Sequence, residues 1–236
     1  MKKNINNRQL LIVLVLCVIS TKLYTQTEYP AESENDIYWQ PHTQIDFSDY
    51  QSKSDTNCIK YNEKYGTQTS ASIGFREVVD IPKRRGKLDK LYLTPVFCKN
   101  CSCILSEDSL SLKVDRLLFD MTETFARLIR RDLFELQKEM NTNNVNSMFF
   151  TSVKNQWEEK MRSFFGTVII DVFIEKKDSA YIKWRQNVDN VLQELEPYAT
   201  QPEDCYRFII QEPIMKGYKK AETIMGDMWT KKETEE

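Results

Sequence analysis

The chain has 236 residues, 33 basic and 35 acidic side chains and a formal net charge of −2. That length holds one domain of ordinary size with a real core, plus extensions at its ends. An apolar content of 41% excludes a disordered chain, the scarcity of Gly and Pro argues against a loop-rich β-sandwich, and the acidic balance does not favour nucleic acid as a partner.

Residues 1–25 read as a signal peptide. Lys2, Lys3 and Arg8 form a basic start, Leu10 to Ile19 an apolar run too short to span a bilayer comfortably, and Ser20 to Gln26 a polar stretch with cleavage expected near Thr25. Cleavage removes four bases, Lys2, Lys3, Arg8 and Lys22, and no acid, taking the net charge from −2 to −6. The protein is therefore expected to be periplasmic or secreted. A lipid anchor at Cys17 is the alternative, and the only membrane attachment expected; Leu16 stands where a lipoprotein signal wants a small residue.

Residues 26–36 are polar and acidic, and a mobile lead-in is expected. Ile37 to Tyr50 suggests a short strand, a turn at Pro41 and further apolar contacts at Ile45 and Phe47. Residues 51–66 look like a polar loop carrying Cys58. Strands are expected over Thr67 to Ile81 and Leu88 to Phe97, separated by the basic turn from Pro82 to Gly86. The charges of Lys83, Arg84 and Arg85 suit a solvated turn. Next come Cys98, Cys101 and Cys103. Their spacing suits thiolate ligands, with Cys58 or Cys205 as a fourth, but in an oxidising compartment disulfides or free thiols are the better expectation.

The pattern then turns helical. Leu110, Val114, Leu117, Leu118, Met121, Phe125, Leu128 and Leu136 recur at steps of three and four, with Ser106 or Asp108 as cap. Lys113, Asp115, Arg116, Glu123, Arg127, Arg130 and Arg131 are read as its charged face. After a polar break at Asn141 to Asn146, a second helix is expected from Ser147 to Phe165, running on to Glu175 unless Val168 to Ile174 forms a strand. A third spans Ser179 to Leu195, and a fourth is expected in the stripe from Pro213 to Trp229.

The run F-D-x-T-E-x-x-A-R-x-x-R, Phe119 to Arg130, resembles the helix of a family of predicted secreted bacterial zinc peptidases that is catalogued as a domain of unknown function. Weaker likenesses lie at Ile37 to Tyr50, at Ala71 to Ile73 and around Trp184 in Tyr181 to Tyr198. The resemblance spans residues 37–198, leaving 199–236 as a C-terminal helical extension. It implies a zincin-like α+β domain: a small, mainly antiparallel sheet followed by three or four packed helices.

In that family H-E-x-x-H leads the run. Here those places hold Val114, Asp115, Arg116, Leu117 and Leu118, and the chain's one histidine is His42. A second family motif, Y-D-x-x-T-x-H-G, falls by ungapped count on Val168, Ile169, Val172, Ile174 and Glu175. Zinc needs about three protein ligands, two of them from histidines one helical turn apart. Valine and leucine supply none. Asp115 keeps a carboxylate at the general-base place without an activated water, and the retained Asp120 and Glu123 suit hard ions better.

The resemblance thus implies a degenerate site at Val114, Asp115 and Leu118, with no cofactor and no catalytic metal. Val114 and Leu118 are expected to be buried against the sheet, and Asp115, Asp120 and Glu123 to be solvated or paired with Arg116, Arg127 or Arg130. The expected function is that of a non-catalytic peptidase-like protein, a binding or scaffold module of the cell envelope whose cleft takes a protein or peptide partner. A secreted hydrolase using Asp115, Asp120 and Glu123 or a cysteine-held metal is one alternative. A purely structural interaction protein is another.

Overall fold

The computed structural model describes residues 29–53 and 56–222; the expected signal peptide, Cys17 and Trp229 lie outside them. The elements are β1 (Asp36–Tyr38), α1 (Thr56–Tyr65), β2 (Thr69–Ser70), β3 (Ile73–Pro82), β4 (Lys90–Cys98), β5 (Cys103–Ile104), α2 (Ser109–Met140), α3 (Val145–Ile169), α4 (Ala180–Glu194), α5 (Pro202–Ile210) and β6 (Tyr218–Lys220). The fold is α+β. Four strands form an antiparallel sheet in the order β1-β4-β3-β6, and β2 and β5 form a second, two-stranded ladder. The central pairing runs from Ile73 opposite Phe97 to Asp80 opposite Lys90.

β4 is buried along most of its length because both faces of the sheet are covered. On one face Leu93 packs with Ala126, Ile129 and Leu133 of α2 and with Phe150 and Val153 of α3. On the other, Tyr38 and Val96 pack with Cys205 of α5. A strand covered twice is apolar at both parities, which is why Tyr92 to Phe97 does not alternate cleanly.

Helix α2 is the axis of the molecule. Asp108 caps it, its carboxylate accepting the Ser111 N–H at 2.7 Å, and Asn141 ends it in the left-handed conformation. Leu112 and Phe119 pack with Ile37, Trp39, Ile45 and Phe97. Val114, Leu117, Leu118, Met121 and Phe125 pack with residues of α3, the turn after it and α4. A helix enclosed on both sides has little room for a solvated face. Asp115, Glu123 and Arg127, read from the sequence as part of a charged face, are buried.

Several expectations change. Residues 56–65 are helix rather than loop. Their apolar anchors are few: Cys58 is held by a disulfide, and Tyr61 and Tyr65 pack against the helical core. Val168 to Ile174 is not a strand. α3 runs to Ile169 and widens into a π turn at Ile170–Ile174, the Glu175 N–H bonding the Ile170 carbonyl at 2.8 Å. The lead-in is packed where it is described, with the Tyr29 ring 4.6 Å from that of Tyr206 and Glu32 bridged to Ile37. The expected helix from Pro213 is absent over its described part. Gly217, at φ 86°, turns the chain, and Tyr218–Lys220 joins β3 as an edge strand. The helix of this region is α5, earlier in the chain.

Candidate functional site

Val114 and Leu118, the two histidine places of the resemblance, are buried in one apolar cluster with Leu117, Met121 and Phe125. Val168, Ile169 and Val172, from the places of the second motif, lie in that same cluster. Ile174 points outward. The partners of Val114 and Leu118 come mainly from the helices, with Ile73 and Phe75 of β3 at the margin, so the expected packing against the sheet is only marginal. Fully covering a valine or leucine contributes roughly 1.5–3 kcal/mol. Val114, Leu118, Val168, Ile169 and Val172 do not fit a zinc ion, because none of these five side chains carries a donor.

The expected cleft is filled at this point. A cavity of about 720 Å³ lies beside it, onto which Val172 and Ala180 of the cluster open together with Leu110, Phe173 and Ile182.

Asp115 sits at the start of α2 with its carboxylate turned inward. The Tyr50 hydroxyl donates to it at 2.6 Å and the Thr69 hydroxyl at 2.5 Å. Burial without a cation beside it pushes the carboxyl up to about 6. Burial also raises the Tyr50 phenol, and next to it the negative charge of Asp115. Arg116, one of the arginines expected to pair with these acids, donates instead to the Ile45 carbonyl at 2.7 Å.

Asp120 pairs across the molecule rather than along its helix. It accepts from the Trp39 indole at 2.7 Å and from Arg185 of α4 at 2.6 Å. Glu123 does pair with Arg127 one turn on, at 2.7 Å, and is wholly buried. It also accepts the Thr200 backbone N–H at 2.9 Å and the Thr200 hydroxyl at 2.5 Å. Arg127 continues to the Leu192 carbonyl. Arg130 reaches the carbonyls of Tyr198 and Leu93 and the Thr200 hydroxyl.

Each polar residue retained from the F-D-x-T-E-x-x-A-R-x-x-R run is thus committed to holding the fold. Asp120 ties α2 to the segment before Pro41 and to α4, Glu123 and Arg130 tie it to the segment after α4, and Thr122 bonds the Leu118 carbonyl within the helix. The three carboxylates have three separate sets of partners. Among the described residues no three His, Cys, Asp or Glu side chains are grouped as a metal ion requires.

The cysteines take the disulfide reading. Cys98 pairs with Cys101 and Cys58 with Cys103, so the thiolate-ligand reading of the 98–103 cluster is overturned. Cys205 is a buried thiol whose pKa burial raises to about 11, far from the reactive range. His42 lies exposed in the turn after Pro41. Comparison with protein-family models, curated proteins and solved structures finds no significant match.

Proposed function

We propose that this chain is an exported, peptidase-like protein without catalysis, acting as a binding or scaffold module in the cell envelope. One observation carries the reading: Val114 and Leu118, and Val168, Ile169 and Val172, come from two motifs about fifty residues apart and meet in a single apolar cluster. Polar motifs that serve one site lie together in space, and the apolar residues at both places lie together here. Packing then takes over the role that a metal tether would have had. The two disulfides are in keeping with an oxidising compartment.

The partner is a protein or peptide, and the groove beside the cluster, lined by Leu110, Phe173 and Ile182 with Lys176 and Lys177 beside them, is where it docks. The hydrolase alternative draws no support from Asp115, Asp120 and Glu123, which face different neighbours. A peptide-array screen of the purified protein, run with a protease assay on the same sample, tests the reading. Saturable binding weakened by Ile182→Glu, without cleavage, is expected. Turnover of any peptide, or no saturable partner on the array, contradicts it.

A further inference from the structure

The turn between β3 and β4 carries Lys83, Arg84, Arg85 and Lys87, all exposed. Among the described residues none of the four has a carboxylate within salt-bridge distance. The nearest acid in sequence, Asp89, is buried and turned away, accepting the Ser147 N–H at 2.7 Å and the Asn146 amide at 3.0 Å. A second turn is fastened to the first. The Lys83 N–H donates to the Gly217 carbonyl at 2.8 Å, and the Tyr218 hydroxyl donates to the Leu88 carbonyl at 3.0 Å. This brings exposed Lys216 and Lys219 to the same end of the molecule; Lys219 has one weak partner, Glu222 at 3.7 Å.

Six cations therefore share one end of a protein whose net charge is negative. Among them stand two exposed apolar side chains, Leu88 at 48% and Met215 at 43%. Cations raise affinity for any polyanion, but an apolar side chain exposed in their midst gains nothing from a soluble one. It does gain from a bilayer, where cations meet headgroups and the apolar side chains enter the acyl boundary.

We infer that this end of the molecule rests on an anionic lipid surface, with Lys83, Arg84, Arg85 and Lys87 at the headgroups and Leu88 and Met215 inserted. The inference needs neither the pseudo-peptidase reading nor a lipid on Cys17. Near an anionic membrane each cation raises partitioning about fivefold, less as salt screens it.

The test is vesicle binding of the full chain to phosphatidylcholine vesicles with and without phosphatidylglycerol, for wild type, K83S/R84S/R85S/K87S and L88S/M215S. The leader is the same in all three chains, so differences between them report the patch. All substituted side chains are exposed, and matching thermal unfolding curves confirm intact folds. The expected result is anionic-vesicle binding at least about tenfold weaker for the quadruple variant, with neutral-vesicle binding unchanged. The double variant loses affinity for anionic vesicles but not for duplex DNA. Equal binding of all three chains to anionic vesicles overturns the inference. So does a double variant that binds vesicles as wild type does, since the patch is then a site for polyanions of any kind.

Discussion

The indole N–H of Trp39 donates to the Asp120 carboxylate at 2.7 Å across 81 residues of sequence. Arg185 holds the other carboxylate oxygen at 2.6 Å, so one side chain joins the start of the domain to α2 and α4. The Trp157 and Trp184 indoles are likewise satisfied by aspartates, Asp132 and Asp171, at 2.8 and 2.9 Å. Asp120→Ala strands two donors in a half-buried place, and a loss of about 1–3 kcal/mol is expected in denaturant unfolding. Asp120→Asn keeps an acceptor for the indole and loses less.

Glu123 has no exposure and receives donors from Arg127 and Thr200. Removing it leaves Arg127 buried without its carboxylate. Glu123→Ala is expected to cost about 3–5 kcal/mol. The 196–200 segment should open before the rest, seen as faster amide exchange at Thr200 with the sheet still protected. Uniform exchange at all sites contradicts the local role.

Asp115 predicts a pH dependence. Its carboxyl ionises near 6 when folded, against an ordinary value of 3.8, so the folded state holds the proton longer than the unfolded chain does. This contribution is most favourable below about pH 4 and is lost as pH rises to about 6, by roughly 3 kcal/mol in all. Asp115→Asn keeps an acceptor for Tyr50 and Thr69 and cannot ionise. Subtracting its unfolding free energy from that of wild type isolates the group. The difference should move against wild type between pH 4 and 6 and stay flat above about 7; a flat difference throughout refutes the buried, unpaired carboxylate.

The two disulfides should contribute unequally. Cys58–Cys103 spans 45 residues and fastens α1, a helix with few apolar anchors, to β5. Chain entropy gives such a loop about 4 kcal/mol, and much less to the three-residue span of Cys98–Cys101. Cys58→Ser with Cys103→Ser is therefore expected to lower Tm well beyond Cys98→Ser with Cys101→Ser. Equal losses contradict the loop-length account.

α2 and the β3–β4 pair were legible because their signals are local: apolar steps of three and four, an Asp cap, and two apolar runs separated by a basic turn. α1 was not, since Thr56–Tyr65 is mostly polar and is held by a disulfide whose pairing no sequence reveals. α5 has a start readable in sequence, with Pro202 in its first turn and Asp204 placed to accept the Gln201 N–H. The apolar stripe after Pro213 has helical spacing, but Gly217 turns the chain there and Tyr218–Lys220 pairs with β3 instead.

Within the site, the burial of Val114 and Leu118 was legible, because aliphatic residues at helical spacing belong to a core. The partners of the retained acids were not. Helical spacing proposes Arg116 for Asp120 and Arg127 for Glu123, and only the second pairing forms. Arg185 lies 65 residues from Asp120, a separation that only the packed fold closes.

If apolar packing at Val114 and Leu118 stands where the proposed relatives would hold a metal, the chain takes up no stoichiometric zinc there. Elemental mass spectrometry of the purified protein after dialysis against zinc, with and without reduction and alkylation of its thiols, tests it most directly. No stoichiometric metal is expected in either sample. One equivalent of zinc that survives alkylation and is lost on Asp115→Ala would contradict it.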